Sequence, residues 1–585
     1  MRAIIQHGRR WLLYDRPRRL LIARRPAEVR PLLAAAEAAV NEKGWHAAGF
    51  LTYEAGPALD PALASRPAGP LPLACFGLYD PPAGVEPPHG AGAYSLGEWR
   101  PSTSRPAYEA AVAAIKAHIA AGRSYQVNLT LRLDAPFSGS SWDWFADLVA
   151  NQAPAYAAYL ELDNWAICSA SPELFFGLEG EALTARPMKG TAARGRTPDE
   201  DRRQAERLRN SEKEQAENTM IVDLLRNDLG RVCDFGSVAV PRLFELERYP
   251  TVWQLTSTVA GRSRAPLAEI LAALFPCGSI TGAPKASTTR IIAGLEHRPR
   301  GIYTGSIGFI APGRQAQFNV AIRTGLVDRA AGAAEFGVGG GVVWDSTAGG
   351  EYDEWQTKAR LLSRPRPGFR LLESLRWEPA AGFSLLEAHL ARLAGSAEYF
   401  DFRHEPRAAR AQLLAFAAGL AARPTKVRLL AGREGQVELE AEPLAPDPPL
   451  RLRLAARPVD SRDVFLYHKT THRAVYDQAA GAPLPGDGSP ANDVLLWNER
   501  GEVTETTSAN AVVRLAGRLW TPPVACGLLA GTFRGRLLAE GRIAERVIRL
   551  AELAECEAIY AVNSVRGWRE AVLKESAPAG LPVPG

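Results

Sequence analysis

A chain of 585 residues is longer than one hydrophobic core can organise, because single cores stop growing at about 250–300 residues and the chain then divides. The clearest interior break is SRPRPGF, residues 363–369, where two prolines and a glycine interrupt regular structure. Two domains are therefore expected, over residues 1–362 and 370–585, with 363–369 as linker. Before residue 100, short apolar runs such as AGFLTYEAG and LPLACFGLY alternate with Pro/Gly-rich connections, which suggests strands and loops and assigns them no role. From Tyr108 to Ile119 apolar residues recur at helical spacing, and strand-like and helical stretches then alternate to about residue 360, the pattern of one large α+β domain. The last residues, APAGLPVPG, read as a disordered tail.

The 69 basic and 64 acidic side chains leave a net charge of +5, too small at this length to call for a nucleic-acid or membrane partner. The six cysteines show neither disulfide nor zinc spacing, so a reducing cytoplasm is the expected location. Asp15 interrupts the arginine-rich N-terminus and no apolar run follows, so no signal peptide or membrane span is read. Only nine of the 69 basic residues are lysines. A guanidinium does not lose its proton in proteins, so amine chemistry cannot pass to arginine. Lys189, Lys285, Lys358 and Lys469 are the lysines that fall in chemically suggestive segments.

The segment SPELFFGLEGEALTARPMKGT reads as a hairpin turning at Gly180 and Glu181. A regular register makes Glu173 and Lys189 cross-strand neighbours, an acid beside an amine that could act as nucleophile. A surface salt bridge is the alternative reading of the same spacing. Glu214 and Glu217 then align with Ile221, Leu224 and Leu225 on one helix face, and Glu351, Glu354 and Lys358 share a face of another. Carboxylates in line with an apolar stripe suit a hard cation such as magnesium, or else a solvated acidic face. Glycine-rich turns at 278–287 and 338–343 would let backbone amides approach an anionic ligand.

Over about residues 100 to 362 the segments GRSYQVNLT, SPELFF, RPMKGT, MIVDLLRNDLGRV, GSITGAPK, GIYTGSIG, FNVAIRT and VGGGVVWDS occur in the order found in the chorismate-utilising enzymes, and the chain resembles that family. The resemblance implies a two-sheet α/β chorismate site with Mg2+, Glu217 and Glu354 as direct ligands and Glu214 and Glu351 ordering metal-bound water. It puts Tyr303, Arg323 and Lys358 against the substrate carboxylates, with Gln126, Gly339 and Gly340 lining the site. It also implies that Lys189 attacks ring C2, that Glu173 assists loss of the C4 hydroxyl, and that ammonia then enters at C4. Members that aminate at C2 carry a small residue at the Lys189 position, and those that add water carry a lysine at the Gln126 position, where a glutamine cannot act as base. Nucleophilic attack needs Lys189 neutral part of the time, so burial or a nearby cation such as Arg186 is expected to favour that form. No amidotransferase cysteine in a glycine-rich nucleophile turn is found, so ammonia is expected from a separate glutamine amidotransferase subunit.

The second domain opens with a strand, a turn and a helix carrying His389 and Arg392, the latter either a phosphate clamp or an ordinary surface arginine. Lys469 follows the apolar, strand-like run FLYH, which suits a Schiff-base lysine. DVLLWNERGEVTETTSANAVVRL gives a hairpin turning near Arg500 and Gly501, with Glu505 on the returning strand. Glu505 is either buried to complement a pyridine nitrogen or an edge-strand surface residue. With HLARL, HKTTHR, EVTETTSAN, TPPVACGLLAGTFR and NSVRG, about residues 366 to 575 resemble the fold-type-IV pyridoxal-phosphate enzymes. The resemblance implies pyridoxal 5'-phosphate on Lys469, its phosphate held by Arg392 and the Gly531–Thr532 turn, and Glu505 on the ring nitrogen. Phe533 stands where aminotransferases of the family often have threonine.

The pair of resemblances implies two successive reactions: C4 amination of chorismate, then pyridoxal-phosphate-dependent loss of pyruvate to give 4-aminobenzoate for folate synthesis. A homodimer through the second domain is expected. The alternatives are an amino-acid aminotransferase or a non-catalytic module in the second domain, or an anthranilate-forming first domain, against which Lys189 speaks.

Overall fold

The structure is a computed structural model that describes residues 1–352, 355, 367–446, 449–480 and 491–574. Glu354, Lys358, linker residues 363–366 and the 577–585 tail lie outside the described residues. The chain divides into two compact units, Met1–Arg194 with Gln204–Arg366, and Gly195–Arg203 with Pro367–Gly585.

Among the described residues, the first unit holds an eleven-stranded and a ten-stranded sheet, antiparallel throughout. The elements that matter for its site are β1 (Gln126–Gly139), β2 (Leu174–Glu179), β3 (Ala182–Arg186), β4 (Met188–Ala193), α1 (Glu212–Gly230), β5 (Val252–Arg262), α2 (Lys285–Leu295) and β6 (Ala333–Val342). β6 pairs with β1 over ten residues, from Ala333↔Pro136 to Val342↔Val127, in one sheet. β2, β3, β4 and β5 lie in the other.

The first hundred residues complete both sheets: Arg2–His7 pairs with Ala158–Glu161, and His46–Leu51 pairs with Ser306–Ala311. They also contain an 18-residue helix, Pro26–Lys43, where the sequence suggested only strands and loops. Its buried residues Val29, Leu32, Leu33, Ala36, Ala39 and Val40 do recur at helical spacing. Pro26 and Pro31 obscured that pattern, although proline at the first helical position leaves no hydrogen bond unmade.

α1 begins where the Ser211 hydroxyl accepts the Glu214 N–H at 3.4 Å, a side-chain cap for an orphan donor. Ile221, Val222, Leu225 and Leu229 anchor it in the core. Its far end is tied down by Lys285, whose Nζ donates to Asp228 Oδ2 at 2.7 Å and to the Leu274 carbonyl at 2.9 Å. The RNDLG and GAPK segments thus meet in a buried ion pair, and Lys285 is structural.

In the second unit, Leu371–Glu378, Thr425–Ala431 and Val437–Pro443 form an antiparallel sheet with Gly382–Phe383. A larger mixed sheet contains Leu450–Leu454, parallel to both Asp493–Trp497 and Gly567–Leu573. The expected hairpin is present as Asp493–Trp497 and Val503–Thr506, with Gly501 in the left-handed region at φ 70°. The run before Lys469 is not a strand. Val464–Leu466 forms a short 3-10 turn, because the Asp463 carboxylate accepts the Phe465 N–H at 2.9 Å and offers the backbone a local alternative.

Replacing Lys285 by methionine leaves Asp228 buried without its cation. Unfolding of the first unit in urea is expected to become easier by about 3–5 kcal/mol, the usual cost of orphaning one partner of a buried pair. An unchanged transition would show that the pair does not hold α1.

Candidate active sites

In the first unit Glu173, Lys189, Tyr303, Arg323, Gly339 and Gly340 line one cavity, together with the carboxylates Glu214, Glu217 and Glu351. The hairpin forms at the expected turn, but Glu173 and Lys189 are not ladder partners. Gly177↔Thr184 and Glu179↔Ala182 set the register, which slips before Leu174↔Arg186. Past Pro187 the chain leaves β2, and β4 continues along β5, the strand that β3 already pairs with. The two side chains nonetheless interact, and the Met188 N–H donates to the Glu173 carboxylate.

Glu173 is 3% exposed and accepts from Ser279 Oγ at 2.7 Å. Burial pushes its carboxyl up to about 7, against the pull of the Ser279 hydroxyl, the Met188 amide and Lys189. Glu173 therefore holds its proton in part near neutrality, as a general acid requires. Lys189 Nζ lies 3.8 Å from Glu217 Oε2. Arg186, expected to supply positive charge to it, is engaged by Glu247 and reaches the Tyr156 hydroxyl at 3.5 Å.

Glycine in β6 is required by what crosses it. A Cβ on Gly341 would sit 2.5 Å from Lys189 Nζ and 2.7 Å from Gln126 Nε2, and one on Gly337 would sit 2.0 Å from the Tyr303 ring. The glycines thus open space for side chains at these two positions. Gln126 is fully buried, and its amide has no hydrogen-bond partner among the described residues. Arg323 lies 5.6 Å from the centre of the Tyr249 ring and pairs with no carboxylate among the described residues. Burial lowers its pKa, so the cation is short of compensation and suited to an anionic ligand.

Glu214, Glu217 and Glu351 bring hard oxygen donors into the same cavity, and Ser346 Oγ holds Glu351 at 2.7 Å. Among the described residues, however, no three acidic side chains converge closely enough to hold a metal ion by themselves. Glu354 and Lys358, expected beside them, lie outside the described residues.

The second unit places Arg392, Lys469, Glu505, Gly531 and Thr532 around another cavity. Arg392 is no surface arginine: its Nε and Nη2 donate to Glu373 at 2.9 and 2.6 Å, and its Nη1 donates to the Ala530 carbonyl at 3.2 Å. Glu373 also lies 2.6 Å from His389 Nδ1, whose Nε2 lies 3.2 Å from Thr532 Oγ1. This buried carboxylate escaped the sequence reading, where it was one letter of an amphipathic strand. Arg392 and His389 overcome the effect of burial and hold it at about 2. The chain Glu373–His389–Thr532 locates the start of the helix Thr532–Ala539, next to Arg392. Phe533 packs into the core, which leaves Thr532 as the hydroxyl at that helix start.

Glu505 is also buried, not on a solvated edge. It accepts from Tyr476 Oη at 3.0 Å, Asn510 Nδ2 at 3.0 Å and the Leu529 N–H at 3.2 Å. Burial still holds it up at about 7, so a cationic N–H placed beside it would supply the missing counter-charge. Burial, with Arg392 nearby, brings Lys469 down to about 8. A phosphate group, an aldehyde and a protonatable ring nitrogen each have a fitting partner here: Arg392 with the Gly531–Thr532 helix start, Lys469, and Glu505.

Residues 10–364 match the chorismate binding enzyme family and residues 370–572 the amino-transferase class IV family. Aminodeoxychorismate synthase component 1 of Klebsiella aerogenes is 43% identical over 45% of this chain and 58% of its own length. Anthranilate synthase component 1 1 of Haloarcula marismortui is 44% identical over 44% of this chain and 53% of its own. The chain thus spans under two thirds of either relative. The crystal structure of anthranilate synthase component I from Streptococcus pneumoniae shares the fold, with TM-score 0.53 at 24% identity over 62% of this chain and 92% of that one.

Capture of an aldehyde requires Lys469 as the neutral amine. Because its pKa is lowered to about 8, the capture rate of pyridoxal phosphate by apoprotein should rise about tenfold per pH unit below pH 8 and level off above it. The absorbance change on mixing reads this directly. A rate still climbing through pH 10 would mean that the amine titrates like an exposed lysine.

Proposed function

Since the chain belongs to the chorismate-binding enzymes and carries a class IV aminotransferase domain after them, we propose that it makes 4-aminobenzoate from chorismate in two steps. The observation that carries the first step is the Lys189 amine, set in one cavity with the buried acid Glu173 and the unpaired cation Arg323. Identity alone does not choose the product, since an aminodeoxychorismate synthase component and an anthranilate synthase component are equally similar. Lys189 favours amination at C4.

Arg323 and the Tyr303 hydroxyl bind the substrate carboxylates. Lys189 Nζ attacks ring C2 while Glu173 gives its proton to the departing C4 hydroxyl, which leaves as water. Ammonia then adds at C4 and expels the lysine. Magnesium, which would supply positive charge for a ring carboxylate, would need Glu354 in addition to Glu214, Glu217 and Glu351, since no three carboxylates among the described residues converge on one ion. No amidotransferase nucleophile is evident in the sequence, so a separate glutaminase provides ammonia.

In the second domain, pyridoxal phosphate supplies an electron sink for the substrate amine when bound. Arg392, Gly531 and Thr532 would hold its phosphate, and Glu505 would supply the negative charge for its ring nitrogen. The freed Lys469 amine, poised at about 8, takes a proton from the ring carbon bearing nitrogen and returns one to the departing pyruvate. The cationic lining of this cavity, including Lys426, Arg428, Arg473 and Arg569, suits a substrate with two carboxylates.

The purified chain, given chorismate, magnesium, ammonium and pyridoxal phosphate, is expected to release 4-aminobenzoate and pyruvate in equal amounts, and to release neither with glutamine in place of ammonium. Lys469→Ala should stop at the aminated intermediate and Lys189→Ala before it. Anthranilate as product would overturn the role of Lys189. Accumulation of 4-amino-4-deoxychorismate by the intact enzyme would overturn that of the second domain.

A further inference from the structure

Beside the chorismate cavity lies a buried charged cluster that the mechanism does not use. Arg300 is 1% exposed, and its guanidinium spends every nitrogen. Nε and Nη2 donate to Glu296 at 2.9 and 2.7 Å, Nη2 also donates to the Asn128 carbonyl at 2.7 Å, and Nη1 donates to the Ile280 carbonyl at 2.9 Å. The Tyr53 ring lies 4.6 Å from the guanidinium carbon. Glu296 in turn accepts the Thr130 N–H and hydroxyl, both at 2.9 Å. From the N-terminal region, Glu54 accepts the N–H groups of Arg300 and Gly301 at 2.7 and 3.0 Å.

Two of these contacts reach walls of the active site. Asn128 and Ile280 both line the cavity, and Ile280 directly follows Ser279, the hydroxyl bonded to Glu173. A planar fork with fixed donors can bridge a carboxylate and two carbonyls on separate segments, which an ammonium cannot. We propose that Arg300 is a positioning residue: it clamps the Ser279–Ile280 turn to β1 and thereby sets the Ser279–Glu173 contact on which proton delivery to the departing hydroxyl depends. Glu54 holds the backbone of Arg300, which gives the N-terminal hundred residues a part in the site.

The inference rests on the proposed function through the role of Glu173, so the test follows chorismate consumption and not one product. A wild type that makes a different product from chorismate sinks the proposed function and leaves this test running. Arg300→Lys, Glu54→Gln, Ser279→Ala and both double variants with Ser279→Ala are compared with wild type in the full-length chain. Conversion of supplied 4-amino-4-deoxychorismate by the second domain, together with the urea transition, reports folding.

In Arg300→Lys, kcat is expected to fall about ten- to a hundredfold, as for other small misplacements of a reacting group. KM for chorismate should stay within about threefold, because ground-state binding is untouched. Ser279→Ala should then cost less than about twofold further in the Arg300→Lys background, since two changes acting through one contact do not add. Multiplying effects, or an unchanged kcat, overturn the proposal. If Arg300→Lys fails to fold, Glu54→Gln decides: a kcat loss that does not multiply with Ser279→Ala supports the clamp, and an unchanged kcat refutes it.

Discussion

A carboxylate removed from water must be answered by protons or by cations, and which of the two answers it decides what it can do. Glu173 and Glu373 are both buried, at 3% and 2% exposure. Glu373 faces the full guanidinium fork of Arg392 and the ring of His389, and it stays ionised down to about 2. It is an anchor, holding a cation and a helix start in place. Glu173 receives only a hydroxyl, an amide and a more distant amine, so burial wins and its carboxyl sits at about 7. The same residue type stays ionised in one unit and keeps its proton in part near neutrality in the other. Glu505 falls with Glu173, at about 7: three neutral hydrogen bonds and the charges of Lys469 and Arg473 do not offset its burial.

The first site also depends on a strand that gives up its side chains. Four of the six β6 residues that line the cavity are glycine, and at Gly337 and Gly341 a Cβ would overlap the Tyr303 ring and the Lys189 amine. Glycine weakens a strand in isolation, yet the ten-residue pairing of β6 with β1 compensates with a continuous backbone ladder. Without those glycines, Lys189 and Gln126 could not both reach the space beside β6.

Which residues share the first cavity was largely legible in the sequence, whereas the means of support was not. Glu173, Lys189, Tyr303, Arg323 and three of the four acidic positions meet in one cavity. Their motifs are short and local, so spacing carries the information. Glu173 and Lys189 share the cavity by another route than the regular hairpin that was assumed: the register slips before Leu174, and at Pro187 the chain leaves β2 while it continues along β5. Glu373, Ser279, Glu296 and Arg300 gave no signal: apart from the i,i+4 pair of Glu296 and Arg300, the contacts that tie them to the sites are distant in sequence, and in a chain with 60 arginines one more arginine is uninformative. The helix Pro26–Lys43 was missed because its prolines outweighed a real 3.6-residue period.

The scarcity of lysine shows how far composition can be pressed. Three of the nine lysines are now seen in buried or largely buried settings, and they do different work. Lys285 is a compact cation with fixed partners, Asp228 and the Leu274 carbonyl, and its value is charge at short range. Lys469 has no salt bridge among the described residues, and burial brings it to about 8, where the neutral amine is accessible at modest cost. Lys189 stands between these, 3.8 Å from Glu217. The Lys189 ammonium faces a carboxylate that lines the same cavity, so any further cation drawn there would meet it as a competitor for those oxygens. The positive charge that the sequence led one to seek in Arg186 is spent elsewhere, because Arg186 is already committed to Glu247.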